Sequence, residues 1–183
     1  MSGTIHEHAR PAALAVRRWP TALAVLCGGL MWGLDLERAA RVLVLLPLIY
    51  LTLAVLGRRT WSWPVLVASV PVSLAAEAQS VVDPLVALWA VAGALGVTGL
   101  WSCAGRRPAV AVQALAFVGF AATAGIALTV APGPGHVLAA AGWLAHGLWD
   151  LVHRRRDQVV SRSYAEWCGV LDLLVAAQLL LLA

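Results

Sequence analysis

Lysine is absent from this chain of 183 residues, and all 13 of its basic residues are arginine. Without a lysine amine the chain cannot form a Schiff base, which excludes a retinal-type attachment and related imine chemistry. Charged residues make up only 12% of the sequence, whereas hydrophobic residues make up 61% and the mean hydropathy is +0.84. A soluble domain of this size needs far less apolar surface, so the sequence predicts an integral membrane protein.

Cysteine is also scarce, with three residues in the chain, Cys27, Cys103 and Cys168. They lie far apart and form no CxxC pair, which argues against a disulfide framework or a structural zinc knuckle. The sequence also lacks a phosphate-binding glycine loop and a nucleophile elbow. The formal net charge is +4, but the arginines stand at the ends of apolar runs, so we predict no nucleic-acid partner.

Long apolar runs are what the sequence has in abundance. Seven of them are separated by charged or turn-forming residues, at about 19–34, 42–56, 61–79, 84–103, 109–130, 136–153 and 165–183. Most are long enough to cross a hydrocarbon layer of about 30 Å as helices. We therefore predict an all-α fold, a polytopic integral membrane helix bundle of about seven transmembrane helices. A tail at 1–18 precedes a single transmembrane domain at 19–183.

The arginines fall almost entirely on one side of this predicted bundle. Alternating loops place eleven on the side of the N-terminus and only Arg38 and Arg41 on the other. Because cytoplasmic loops carry an excess of arginine, this asymmetry predicts a cytoplasmic N-terminus and an external C-terminus. The exclusive use of arginine, with abundant Ala, Val, Leu and Gly, indicates a GC-rich bacterial genome. We therefore expect a multi-pass protein of the plasma (inner) membrane of a bacterium.

The last two apolar runs form a predicted hairpin with ionisable side chains on both arms. On the first arm, His146, Asp150 and His153 are spaced i, i+4, i+7 and share one helix face. On the second arm, the spacing i, i+4, i+8 puts three residues on one face: Tyr164, Cys168 and Asp172. A turn centred near residues 158 and 159 would set three pairs level, His146 with Asp172, Asp150 with Cys168, and His153 with Tyr164.

His146 and Asp172 are both predicted to lie deep in the bilayer. At about 1.5 Å per residue, His146 is roughly 15 Å from the start of its helix, and Asp172 reaches a similar depth from the other end. A charged carboxylate at that depth is costly unless it is paired or hydrated, so such residues usually face the bundle interior and mark function. The structural alternative is a His146–Asp172 hydrogen bond that only ties the two helices together.

Taken together, these residues favour an enzyme that acts on a lipid-soluble substrate, either a lipid or an isoprenoid or terpenoid. His146 and Asp172 would form the catalytic acid/base pair, and Asp150 and His153 would complete the site. The side chains expected to contact the substrate are Trp143, Trp149, Tyr164, Trp167, Cys168 and Glu77. An acid ringed by indoles would suit isomerisation or cyclisation through a carbocation, because aromatic faces stabilise cations.

The same residues could instead hold a metal ion. Two histidines and two aspartates, His146, His153, Asp150 and Asp172, would supply ligands for zinc or iron. A position left open for water would then give a metal-dependent hydrolase. The spacing HxxxDxxH is not a specific metal signature, so the cofactor stays open between none and a divalent metal.

A proton-coupled transporter or proton relay is a second class of function that the sequence allows. Glu77 of the third run would act with three residues of the hairpin, His146, His153 and Asp172, as relay steps, since chains of histidines and carboxylates are expected in proton pathways. Against this reading, seven spans do not divide into an inverted repeat.

A structural subunit of a membrane complex is the third class. Two small-residue pairs, Gly29 with Gly33 and Gly119 with Thr123, are typical of close helix contacts in membranes. The same faces would allow a homo-oligomer. In this reading the polar hairpin would be needed only for assembly.

The predicted topology is similar to that of the seven-helix membrane hydrolases of the ceramidase and adiponectin-receptor kind. Their pattern expects HxxxH on the last span and Ser, His and Asp on the second and third. The second, third and last spans contain no histidine here. The resemblance is one of topology alone and assigns no residue.

Overall fold

The structure, a computed structural model, describes residues 18–79 and 82–183. In those ranges the chain forms seven α-helices and no β-strand. The helices are α1 (Trp19–Leu30), α2 (Leu36–Leu56), α3 (Ser62–Ala78), α4 (Pro84–Ser102), α5 (Arg107–Thr129), α6 (Pro132–Arg156) and α7 (Arg162–Leu181), with short 3-10 helices at Arg59–Trp61 and Ala104–Arg106. The all-α prediction is confirmed, and each predicted apolar run overlaps one helix. The predicted N-terminal tail lies, except for its last residue, outside the described residues.

Four segments are long and apolar enough to cross a membrane: α2, α4, α7 and Ala104–Thr129, which contains α5. α1 is apolar but has only 12 residues. α6 is longer, with 25 residues, but an aspartate, three histidines and three arginines lower its hydropathy. The described part of the chain thus has four segments that could cross a membrane, and ionisable residues are concentrated in α6, which is not one of the four.

A short turn connects α6 to α7 and fixes their antiparallel register. Asp157 follows α6 in the left-handed conformation, with φ of 51°. Its carboxylate forms ion pairs with Arg59 and Arg162, and its carbonyl accepts a hydrogen bond of 2.9 Å from Arg59. Ser161 then caps α7 by accepting a hydrogen bond from a backbone N–H of its first turn. The turn is therefore centred where the sequence predicts it.

α2, α6 and α7 form the centre of the bundle, and α5 packs against α2 and α6. Most side chains of α2 are buried. The largest fully buried side chains include Trp143 of α6, Tyr50 of α2 and Tyr164 of α7. α3 buries only Ser62 and lies at the periphery. The polar stripes of α6 and α7 consequently face the interior, against α2 and α5.

The predicted contact pair Gly29–Gly33 is wrong. α1 ends before Gly33, which adopts a left-handed turn with φ of 80°, so the two glycines do not share a helix face. Gly28 is the close contact instead, because a Cβ at this position would lie 2.7 Å from Leu174 of α7. The small residue that lets α1 approach α7 is therefore one position earlier than predicted.

Candidate functional site

Glycines line the crossing of α6 and α7. Gly147 of α6 lies against Asp172 of α7, and a Cβ at Gly147 would be 3.4 Å from the Cβ of Asp172. The contact is reciprocal, because a Cβ at Gly169 would be 3.3 Å from the Cβ of Asp150. Both helices therefore carry a glycine three residues before an aspartate. Small residues let helix backbones come close, and here they bring two carboxylates to one place.

His146 and Asp172 form a hydrogen bond at this crossing. Nδ1 of the imidazole lies 2.8 Å from Oδ2 of Asp172, with the ring N–H donating, and 3.6 Å from Oδ2 of Asp150. All three side chains have 0% exposure. The register in which His146 lies level with Asp172 is thus present in the structure.

Cys168 completes a compact group that we call the His/Asp/Cys cluster. Its members are His146, Asp150, Cys168 and Asp172. One nitrogen, sulfur or oxygen atom from each member lies within 4.8 Å of those of the others, and all four residues are buried. Asp150 and Cys168, which were predicted to lie level, therefore meet in the same cluster.

Tyr50 of α2 belongs to the site, although sequence reasoning missed it. Its hydroxyl donates a hydrogen bond to Oδ1 of Asp150. Its ring packs edge-on against His146 and His153, with centroid distances of 5.6 and 4.9 Å. The available signal was a tyrosine inside a long apolar run, three residues after Pro47, because a buried hydroxyl usually needs a partner.

His153 lies one layer closer to the arginine-rich end of the bundle, and both of its ring nitrogens are used. Nδ1 donates to the carbonyl of Trp149 at 2.9 Å, and Nε2 accepts from the side-chain amide of Gln113 at 3.0 Å. A carbonyl can only accept, so Nδ1 carries the proton and Nε2 provides the lone pair. His153 consequently has no free ring nitrogen for a metal or a substrate. Gln113, on α5, is a second partner that helix periodicity did not reveal.

The three tryptophans predicted to wall the site contact its margins. Their partners are His153 for Trp149 (4.8 Å between ring centroids), Tyr164 for Trp167 (5.9 Å) and the Ala39 carbonyl for Trp143 (3.2 Å from Nε1). The ring contacts of His146 among the described residues are with Tyr50 and with Phe120, at 5.6 and 5.1 Å. The centre of the site is therefore lined by a phenol and a phenyl ring, where indoles were predicted.

Glu77 lies apart from the cluster. Its carboxylate is 3.8 Å from Nη1 of Arg41 and is 38% exposed. Both residues line a cavity of about 460 Å³ between α2, α3 and α4, together with Ser69 and Ser73. Ser69, Ser73 and Glu77, which follow one another at intervals of four residues along α3, thus line this separate cavity, and Glu77 does not contribute to the α6–α7 site.

Several buried polar atoms at the cluster have no hydrogen-bond partner among the described residues. They are Nε2 of His146, Oδ2 of Asp150, Oδ1 of Asp172 and, one helical turn from Cys168, the hydroxyl of Tyr164. A buried polar atom without a partner costs about 1–3 kcal/mol, so native proteins usually retain one for a bound ion, a water or a catalytic role. The cluster therefore has unused capacity to hold protons or to coordinate a cation.

A groove of about 460 Å³ lies outside the same crossing, between α1, α6 and α7. Its apolar wall includes Leu148 and Leu173, which are 67% and 55% exposed. Gly147 and Gly169 also line the groove, and these glycines pack against the two aspartates on their other side. The groove and the two carboxylates are therefore both in contact with these glycines.

The groove has a polar end. Arg18 and Arg154 both contact the carboxylate of Glu166, at 3.5 and 2.9 Å. Thr21 also donates a hydrogen bond of 2.7 Å to Glu166. Two cations around one partly buried carboxylate leave an excess positive charge at the mouth of an otherwise apolar groove, which suits a molecule with an apolar chain and an anionic group.

Comparisons with known proteins add no constraint to this geometry. No protein-family model, no curated protein and no solved structure matches the chain.

Proposed function

We propose that the chain is a seven-span protein of a bacterial plasma (inner) membrane, with its N-terminus in the cytoplasm and its C-terminus outside. The arginine-rich loops support this orientation, since contacts of Arg18, Arg59 and Arg106 with neighbouring helices gather at one end of the bundle. α6 would span despite its ionisable residues, because His146 and Asp150 are buried in protein and do not face lipid.

We further propose that the protein is an enzyme that transfers protons to and from a lipid-soluble substrate, a lipid or an isoprenoid. The His146–Asp172 hydrogen bond of 2.8 Å is the observation that carries this proposal, because each partner keeps a second buried polar atom free. In an acid/base pair, one polar atom of each residue holds the pair in position through the hydrogen bond between them, and a second polar atom exchanges a proton with the substrate. Isomerisation and cyclisation suit such a site, because they move protons and consume no water.

The groove between α1, α6 and α7 would hold the apolar chain of the substrate. Its size is within the usual range of about 300–1,000 Å³ for small-molecule sites. Because Asp150 and Asp172 are fully buried, the reacting group would reach them only when the helices part at Gly147 and Gly169. A glycine pair is the place where such a separation breaks the fewest side-chain contacts.

A proton relay across the membrane is less well supported. The polar column runs from His153 through Asp150 to His146, about 10 Å along α6, and leads toward the arginine-rich end. Beyond His146, the buried side chains of α6 and α7 are mostly apolar in the described part of the chain, and the amide of Gln178 is bonded to the Gly28 carbonyl. A relay across the membrane would need a polar path to both sides, whereas an acid/base enzyme needs its site to exchange protons with one side only.

Complete burial of the cluster favours a second candidate, a structural protein in which the His146–Asp172 bond ties two helices. A buried pair of this kind can fix helix register without any chemistry. A homo-oligomer through the exposed faces of α5, which include Gly119, would belong to this candidate. The two proposals differ in whether the protein moves protons onto a substrate.

Deuterium incorporation from D₂O tests the enzymatic proposal. Full-length protein in nanodiscs would be incubated in D₂O with bacterial lipid extract and with polyprenyl lipids, and the products would be measured by mass spectrometry. We expect wild-type protein to incorporate deuterium, and His146→Ala and Asp172→Asn to lose that activity. His136→Ala on the same helix and Glu77→Gln are matched controls that should retain it. No incorporation by the wild type, or equal incorporation by all variants, would refute the enzyme.

A further inference from the structure

We propose that the His/Asp/Cys cluster binds one divalent transition-metal ion, for which zinc is the best chemical match. The proposal concerns the same site as the proposed enzyme, and its catalytic meaning rests on that function. Metal binding itself needs no turnover and can be measured separately.

The spacing of the four side chains is already close to that of a metal site. Zinc bonds of about 2.0–2.3 Å place tetrahedral ligand atoms roughly 3.3–3.8 Å apart. Nδ1 of His146 lies 2.8 and 3.6 Å from the nearest oxygens of Asp172 and Asp150, and the longest separation in the cluster is within 4.8 Å. Side-chain adjustments of about 1 Å would therefore bring all four ligands onto one ion. Binding through Nδ1 would also require the proton of Nδ1 to leave, with Nε2, which has no partner among the described residues, carrying the ring proton instead.

The donor set selects a particular class of metal. One imidazole, one thiolate and two carboxylates suit an ion of intermediate softness such as Zn²⁺ or Fe²⁺. Mg²⁺ and Ca²⁺ prefer oxygen ligands alone, and Cu⁺ prefers sulfur. Cys168 takes the position that the sequence pattern suggested for His153, whose nitrogens are both engaged.

Charge also favours an ion at this place. Asp150, Asp172 and a Cys168 thiolate would carry three negative charges at 0% exposure, and unpaired buried charges are strongly unfavourable. A divalent cation offsets two of them. The hydrogen bond from Tyr50 to Asp150 stabilises the third, because it leaves Oδ2 of Asp150 as the free ligand atom.

Residues that contact the four ligand side chains hold them in position, as residues next to the ligands do in known metal sites. Tyr50 holds one carboxylate by its hydroxyl, and the rings of Tyr50 and Phe120 fix the imidazole plane of His146. Mutation of such supporting residues usually weakens metal affinity by 10–100-fold. Oδ2 of Asp150 and Oδ1 of Asp172 are buried within the cluster and have no hydrogen-bond partner among the described residues, which is a second observation in favour of a bound cation.

Zinc content and cobalt spectra of the full-length protein test the site. Protein purified in detergent without a histidine tag would be reconstituted with Zn²⁺, washed and measured by elemental analysis, and Co²⁺ would be added to the metal-free form. We expect about one zinc per chain and a cobalt spectrum with a thiolate charge-transfer band. Cys168→Ser, which conserves volume, should lose that band and most of the zinc, whereas Cys103→Ser should keep both. Tyr50→Phe should bind zinc roughly 10-fold more weakly.

The outcomes separate this proposal from the enzymatic one. Deuterium incorporation by metal-free, chelator-treated protein that takes up no zinc on reconstitution would support the enzyme and overturn the metal site. Stoichiometric zinc that depends on Cys168 and Asp172, in a protein without turnover, would support the site and overturn the enzyme. Zinc content that is near zero in the wild type, or is unchanged in Cys168→Ser, would overturn the metal site. The cobalt spectrum of the wild type decides the matter even where a variant does not fold.

Discussion

The hydroxyl of Tyr50 donates a hydrogen bond to Asp150, and this contact joins two residues that are 100 positions apart in the chain. It attaches α2, the most apolar of the central helices, to the polar face of α6. The two carboxylate oxygens of Asp150 therefore differ. Oδ1 accepts a hydrogen bond from Tyr50, while Oδ2 has no hydrogen-bond partner among the described residues. Tyr50 is therefore a residue through which α2 contacts the cluster.

Tyr50→Phe should destabilise the protein by about 1–3 kcal/mol, because Asp150 would lose the donor that satisfies its Oδ1. Tyr164→Phe is the matched control, since both phenols are fully buried but the Tyr164 hydroxyl has no partner among the described residues. We expect little change in this second variant. The measurement is the free energy of unfolding in detergent, and equal losses in the two variants would show that the Tyr50 hydrogen bond is not important.

Gly169→Leu should destabilise the α6–α7 pair by about 1–3 kcal/mol, as overpacking of a tight contact does. Even a Cβ at this position would lie 3.3 Å from the Cβ of Asp150, so a leucine must push the helices apart. Gly119→Leu is the control, because no atom lies within 4 Å of a Cβ there. Thermal unfolding in micelles should fall for Gly169→Leu and remain at the wild-type value for Gly119→Leu. A tolerated leucine at 169 would contradict the close crossing.

Much of the fold is determined by residues that are close together in the sequence, which is why the sequence pattern predicts it. Apolar runs bounded by arginines and turn residues correspond to the seven helices, and a polar turn of a few residues leaves α6 and α7 antiparallel. Within such a hairpin the i, i+4 spacing fixes height along the helix, so the level pairing of His146 with Asp172 could be worked out before the structure was known.

Contacts between helices that are not consecutive could not be predicted in this way. Tyr50 and Phe120 approach His146 from α2 and α5, and their periodicity in the sequence is that of ordinary core residues. The tryptophans were assigned to the site because they lie near it in sequence, but sequence neighbours on a helix point in different directions. Glu77 was placed there for its chemistry, whereas the peripheral position of α3 turns it toward Arg41.

Labelling of introduced cysteines should give the seven-span orientation. In a background with Cys27 and Cys103 replaced by serine, a membrane-impermeant maleimide should label Asp83→Cys and Ala183→Cys in intact cells. Gly105→Cys should react only after the membrane is opened, because it lies beside the arginines of the α4–α5 loop. Residues 83 and 105 are both exposed in the structure, so a difference in labelling reports the side of the membrane. Labelling of Gly105→Cys in intact cells would contradict the cytoplasmic assignment.

Replacement of Asp172 by two different residues should separate chemistry from helix tying. Asp172→Leu leaves the His146 ring N–H without an acceptor and should destabilise the protein by about 3–5 kcal/mol, while His146→Leu together with Asp172→Leu should restore much of that loss. Asp172→Asn keeps the shape of the side chain and an oxygen that can accept from His146, so a hydrogen bond that only ties the helices would be retained at little cost in stability. Acid/base activity would be lost, because the amide cannot exchange the proton. We therefore expect Asp172→Asn to unfold near the wild-type free energy and to lose deuterium incorporation. Full incorporation by a stable Asp172→Asn variant would leave helix tying as the function of this residue.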